Sequence, residues 1–251
     1  MIFETKETAF HELENLDFSL ENWLNFWYPR ICEYLDIDSE KDVSALNSIA
    51  KLYQSNISEN YLQRKIEARE IVILAPGVKL EQEFNTYLSN NSITDKLLIC
   101  ADGATSFLIS KNIFPDIITS DIDGKVEDQI LAQKQDSIIL LHVHGDNTNL
   151  VDEHIKEISK KNFLITTQSQ PVKGTYNFLG FTDGDRAVCL SAIMNAKNVT
   201  LLGFDFGQTI GRFSKKTSLS EDMKKRKIKK FTIAKSIINW CARTGLKIIL
   251  I

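Results

Sequence analysis

Residues 97–124 read LLICADGATSFLISKNIFPDIITSDIDG. Two short apolar runs, LLICA at 97–101 and IITS at 117–120, stand on either side of a segment with helical spacing near 104–111. Strand, helix and strand in that order predict two parallel strands joined by a right-handed crossover. The pattern continues outward in both directions. Further apolar runs lie at 71–75 (IVILA), 137–143 (SIILLHV), 163–167 (FLITT), 199–204 (VTLLGF) and 247–251 (KIILI). Helical segments are predicted near 80–89, 126–135, 148–160, 185–196 and 221–243. Short apolar strands alternating with longer helical patterns give an α/β fold with a doubly wound, mostly parallel sheet.

Residues 1–68 carry no such runs and show helical spacing instead. Leu46, Ile49, Ala50, Tyr53 and Ile57 line one face of a helix. Trp23, Leu24, Phe26, Trp27 and Tyr28 cluster before Pro29, where they would serve a helix-to-helix core or a homodimer interface. The expected organisation is a small helical domain over 1–68 and an α/β domain over 69–251, divided within RKIEARE at 64–70.

A net charge of −3 argues against general nucleic-acid binding, although KKRKIKK at 224–230 concentrates positive charge locally. Cys32, Cys100, Cys189 and Cys241 lie far apart, in no CxxC spacing, and read as small core residues of a reducing compartment. The N-terminal MIFETKETAF is acidic and has no apolar signal region. No stretch approaches the roughly 20 apolar residues of a membrane span. A cytoplasmic protein is expected, with neither membrane nor nucleic acid as partner.

In an open parallel sheet, ligands bind where loops converge at the carboxyl ends of the strands. The acids fall there. Asp102 follows the second predicted strand of the α/β segment, Asp121 and Asp123 the third, Asp146 the fourth and Asp205 the sixth, while GFTDGDRA after the fifth carries Asp183, Asp185 and Arg186. Each has an ordinary reading alone. Asp102 can be a turn or cap residue, His142 and His144 core or rim histidines, and Asp146 and Asn147 caps of the helix beginning at Thr148. Their coincidence on one edge favours a site.

If extended, Asp121 and Asp123 project from the same face, roughly 6 to 7 Å apart, and repel each other. A cation between them relieves that repulsion. Oxygen-only donors suit Mg²⁺, whose shell is usually completed by phosphates, whereas zinc would want His and Cys in suitable spacing. An EF-hand fails: counted from Asp121, the fifth, sixth and twelfth positions are Lys125, Val126 and Ala132. A phosphatase of the haloacid dehalogenase type also carries DxDG after a strand, with the first Asp as nucleophile. That motif normally opens the domain, whereas here two strands precede it and ADGAT is unexplained.

The ordered set ADGAT, PDIITSDIDG, HVHGDN, TTQ, NFLGFTDGDRAV, LLGFDFG and KIKKFTIAKSIINW resembles the archaeal MptE-like family of 6-hydroxymethyl-7,8-dihydropterin pyrophosphokinases. These are related in fold to thiamin pyrophosphokinases. The likeness spans roughly residues 70 to 245, with a weaker echo in WLNFWYPRI. It implies that 69–251 is the catalytic domain. It also implies transfer of pyrophosphate from ATP to the hydroxymethyl group of the pterin, leaving AMP, on the way to a methanopterin- or folate-type cofactor. Carried over by motif, Asp102, Asp121, Asp123 and Asp146 resemble the metal-binding acids, here for Mg²⁺.

The catalytic candidates are His144, Asp123 and Arg186, with His144 orienting or deprotonating the hydroxyl. Substrate and nucleotide contacts are expected from Gly77, Lys79, Gly103, Asn147, Gln168, Asn177, Asp183, Gly184, Asp185, Arg186, Asp205 and Lys230. Lys229 is an alternative to Lys230 for reaching a triphosphate. One departure stands out. The family's first strand leads into a glycine-rich GxGPSL-type loop, where this chain has LAPGVKLE at 74–81, so Gly77 alone remains and Lys79 would substitute a charge. Thiamin pyrophosphokinase, a sugar transferase on the same scaffold and a non-catalytic nucleotide-binding protein are the alternatives.

Overall fold

The computed structural model describes residues 2–5, 8–206 and 220–251. The chain opens with helices: a 3₁₀ turn, His11–Asn15, then α1 (Leu20–Asn22), which runs through a π-helical turn, Trp23–Trp27, into α2 (Tyr28–Leu35). Ser19 caps α1 by accepting from the Asn22 amide, and Pro29 sits in the first turn of α2, where its missing N–H costs nothing. Helices α3 (Ser39–Leu52) and α4 (Glu59–Ile66) follow, capped by Asp38 and Ser58.

From β1 (Glu70–Leu74) onward strands and helices alternate: α5 (Leu80–Asn90), β2 (Leu97–Ala101), α6 (Ala104–Ser110), β3 (Ile117–Ser120), α7 (Val126–Lys134), β4 (Ile138–His142), α8 (Thr148–Ile158) and β5 (Phe163–Thr166). The remainder is β6 (Thr175–Tyr176), α9 (Asp183–Ile193), β7 (Asn198–Leu202), α10 (Glu221–Ala242) and β8 (Lys247–Leu250). The eight strands form one parallel sheet in the order β6-β5-β4-β3-β2-β1-β7-β8. All seven strands expected from sequence are present, within a residue or two of the expected ends. Strand β6 was not expected, because two residues in a Gly- and Asn-flanked loop show no periodicity.

Helices cover both faces, which is why the strands are continuous apolar runs. On one face Val72, Leu74, Leu98 and Cys100 pack with Phe84 of α5 and Phe107 of α6, while Ile118, Ile139 and Leu141 pack with Val151 and Ile155 of α8. The alternate residues Ile71, Ile73, Ile99 and Leu140 face α9 and α10. Connections from β1 to β5 therefore use one face, and those through α9 and α10 use the other. The switch lies between β1 and β7, the place where such sheets open a crevice. There the strand ends approach closely. Gly203 has φ of 77°, and a Cβ on it would lie 2.0 Å from the Ala75 carbonyl oxygen.

The segment 1–68 is helical as expected, but its apolar side chains join the sheet's clusters. Trp23, Trp27, Leu62 and Ile66 share a cluster with β1, α9 and α10, and Leu46 and Ile49 of α3 share one with β3, β4 and α8. Among the described residues there is no separate core, so residue 68 marks a change of secondary structure within continuous packing. Trp27 stacks on Trp240 of α10 at 5.0 Å and is fully buried, whereas Phe26 of the same aromatic run is exposed. Trp27→Ala should cost about 3 to 5 kcal/mol, read as a lower denaturant midpoint at unchanged slope. Among the described residues no helix is long and apolar enough to cross a membrane.

Candidate active site

Asp102 leaves β2 with φ of 38°, its amide still donating to the Thr119 carbonyl at 2.9 Å. After β3 the chain turns sharply at Ile122, whose φ is 55° and whose amide donates to Ser120 Oγ at 2.8 Å. A β-branched residue in the left-handed region is strained, a condition typical of functional loops. The turn replaces the extended geometry expected from sequence and brings Asp121 and Asp123 beside Asp102. One oxygen from each of the three carboxylates lies within 4.8 Å of the others.

Asp102 is buried, and its Oδ1 accepts from Ser120 Oγ and Gln129 Nε2, both at 2.8 Å. Burial, then the charges of Asp121 and Asp123, push its pKa up to about 7, against those two hydrogen bonds. For Asp121 burial also raises the pKa, but His144, whose Nε2 lies 3.5 Å from Oδ2, outweighs it together with Arg186 and Lys230 and holds the carboxyl down at about 2. A set of hard oxygen donors that repel one another so strongly fits a divalent cation of the Mg²⁺ type.

The sign of a pH effect follows. Asp102 binds more protons folded than unfolded between its ordinary value of 3.8 and about 7, so its contribution lowers stability as pH rises through that window. The melting temperature of the metal-free protein, taken relative to that of Asp102→Asn, should fall from pH 5 to pH 8, and added Mg²⁺ should restore it at the upper end. A difference from Asp102→Asn that does not fall across this range contradicts the charge balance.

Opposite the acids stand cations. The buried Arg186 donates through Nη1 to Asp183 Oδ1 and through Nη2 to Gln168 Oε1, both at 3.1 Å. The ion pair between Arg186 and Asp183 thus lies inside the site. Burial first, then Asp121, pushes Asp183 well above the usual carboxylate range, with Arg186 opposing. Lys230 also lines the site; burial lowers its pKa against the pull of Asp121. Lys229 does not face inward, since its Nζ donates to the Tyr34 carbonyl at 3.3 Å.

These groups line a cavity of about 520 Å³ at the switch point, together with Gly77, Asp146, Gly184 and Asp205. Asp146 is at the cavity wall but outside the carboxylate triplet; its amide donates to His144 Nδ1 at 3.2 Å. Five expected contacts do not line the cavity. Lys79 is exposed at the start of α5, and its backbone amide, not its charge, is used, donating to Asp205 Oδ2 at 3.0 Å. Gly103 is buried at the start of α6. Asn147 orders its own loop and ties it to the one that carries Asp121, donating to the His142 and Asp121 carbonyls at 2.7 and 2.9 Å. Asn177 donates to the Ser169 carbonyl at 2.9 Å, and the fully buried Asp185 accepts from the Thr182 amide at 3.0 Å, capping α9. For Asn147, Asn177 and Asp185 the protein's own backbone takes up the side-chain polar atoms.

The helical segment supplies residues that sequence reasoning passed over: Asp36, Asp38, Lys41 and Asp42 line the same cavity. For Asp42 a signal existed, because it shares the apolar face of α3 with Leu46 and Ile49, four and seven residues on. An acid on the buried stripe of a helix needs partners.

Fold and site together define a doubly wound α/β protein whose carboxyl edge carries a carboxylate triplet facing fixed cations. The family model described as 6-hydroxymethylpterin diphosphokinase MptE-like matches residues 44–211. Proteins named 6-hydroxymethyl-7,8-dihydropterin pyrophosphokinase are similar over almost the whole chain. That of Methanocaldococcus jannaschii is 34% identical over 233 residues, 88% of this chain and 95% of the relative. The Pyrococcus furiosus protein is 32% identical, covering 90% and 95%, and that of Methanothermobacter thermautotrophicus 31%, covering 89% and 95%. The chain belongs to the MptE-like family.

Proposed function

We propose that this protein transfers the pyrophosphoryl group of ATP to the hydroxymethyl group of 6-hydroxymethyl-7,8-dihydropterin, giving the pterin diphosphate and AMP. Membership of the family supports the pterin pyrophosphokinase activity. The observation that carries the chemistry is the triplet of Asp102, Asp121 and Asp123 facing Arg186 and Lys230 across one cavity. The reaction would serve a methanopterin- or folate-type cofactor in the cytoplasm.

Asp102, Asp121 and Asp123 would hold Mg²⁺, which when bound neutralises charge on the phosphates during transfer. Arg186, fixed by Asp183 and Gln168, and Lys230 supply positive charge to the transferring group and to the departing AMP without reorganising. His144 takes a different part from the one its sequence position suggested. Its Nδ1 accepts from the Asp146 amide, so the ring proton sits on Nε2, toward Asp121. In that arrangement His144 would orient Asp121.

A turnover assay that resolves AMP from ADP tests the proposal, offering ATP with 6-hydroxymethyl-7,8-dihydropterin or with thiamin, in Mg²⁺ or in EDTA. AMP is expected with the pterin alone and should vanish in EDTA. Release of ADP, or a preference for thiamin, overturns the assignment.

A further inference from the structure

We infer that Asp42, on the N-terminal helix α3, is a positioning residue that sets Arg186 for the reaction proposed above, acting through the side-chain amide of Gln168. Asp42 is buried, and its carboxylate accepts three hydrogen bonds: from the Gly145 amide at 2.7 Å, the Tyr28 hydroxyl at 2.7 Å and Gln168 Nε2 at 2.6 Å. The Tyr28 phenol pKa is raised far above its ordinary value, by burial first and by Asp42 next, so Tyr28 stays a donor.

The polarity of this chain is what matters. A carboxylate only accepts, so the NH₂ end of the Gln168 amide must face Asp42, and its oxygen must then face Arg186. That oxygen is one of two acceptors holding the guanidinium, at 3.1 Å from Nη2. Among the described residues the other is Asp183, and Arg186 Nε is buried with no partner there. Were the amide reversed, its NH₂ would point at the guanidinium, donor against donor, and Arg186 would keep Asp183 alone.

The same carboxylate anchors the loop that carries His144. Gly145 packs so closely on α3 that a Cβ there would lie 2.6 Å from Lys41 Cβ, and the Asp42 bond to the Gly145 amide closes this contact. The helical segment is thereby part of the apparatus that orients the reacting groups.

Exchanging the polarity of the pair provides the test. Asp42→Asn lets the amide of Gln168 turn, and Gln168→Glu sets two carboxylates against each other. In the double variant Asp42→Asn/Gln168→Glu, the new asparagine donates to the new glutamate, which again offers an oxygen to Arg186. Each single variant should lower kcat by roughly tenfold to a hundredfold. The double variant should return to within about threefold of wild type, and ATP affinity measured by calorimetry should follow the same pattern.

Additive losses in the double variant, or wild-type kcat in both single variants, overturn the inference. Where one single variant does not fold, the other measured against the double makes the same comparison. If the wild-type protein releases no AMP with the pterin, the reaction assigned above fails. The calorimetric pattern then decides on Asp42: recovery of ATP affinity in the double variant retains it, and additive or absent losses overturn it.

Discussion

Asp121→Asn and Asp123→Asn are each expected to lower turnover by about a thousandfold, the equivalent of roughly 4 kcal/mol of charge stabilisation lost at the transferring phosphates. An amide keeps the shape of the carboxylate and removes the charge that holds a hard cation. The fold should survive. In the metal-free protein burial first, and then the charges of Asp121 and Asp123, raise the Asp102 pKa to about 7, so Asp123→Asn relieves repulsion. Asp121→Asn also removes a carboxylate that His144, Arg186 and Lys230 hold down at about 2, and should lower the melting temperature modestly. What should disappear is the rise in melting temperature on adding Mg²⁺. Variants that keep wild-type turnover, or that lose it only by unfolding, count against the triplet as the metal site.

Arg186→Lys is the second large effect, with a loss of about a hundredfold in kcat. The guanidinium reaches Asp183 and Gln168 with two different nitrogens and presents a planar charge to the cavity. An ammonium is a single point donor and can keep only one of these anchors in place. Lys230→Ala should cost less, since among the described residues Lys230 stands at the wall without a comparable pair of acceptors. Equal losses in the two variants would mean that positive charge, and not its fixed direction, is what the site requires.

The strands were legible because burial on both faces makes each a short unbroken apolar run, and the turn residues between them mark the carboxyl edge. That edge located Asp102, Asp121, Asp123 and Arg186. The shape of the site was not legible. The left-handed turn at Ile122 decides that Asp121 and Asp123 curl back on Asp102, and nothing in the spacing of DIDG shows it. Asp146 looked equivalent to the other acids by strand position, yet its loop directs its amide into His144 and leaves its carboxylate out of the triplet.

Residues judged by motif alone fared worst where the backbone competes for their polar atoms. Asn147, Asn177 and Asp185 spend their side chains on nearby backbone, as Asn and Asp next to turns often do, and Asn147 also ties its loop to the Asp121 carbonyl. Asp42 was the opposite case. Its place on a helical stripe with Leu46 and Ile49 could have singled it out, but its partners Gly145 and Gln168 lie over a hundred residues away in sequence. Only packing of the helical segment onto the sheet brings them together.

The most direct measurement follows the β-phosphorus. With β-labelled ATP and 6-hydroxymethyl-7,8-dihydropterin, direct attack on the β-phosphorus puts the label in the pterin diphosphate and leaves AMP unlabelled, with no label on the protein after quenching. Label on the protein at Asp121 would mark an aspartyl diphosphate formed by attack of that carboxylate on the β-phosphorus, and label recovered in ADP would mark the γ-phosphoryl transfer that the phosphatase reading of DIDG requires; either result would contradict the assignment of that residue to the cation.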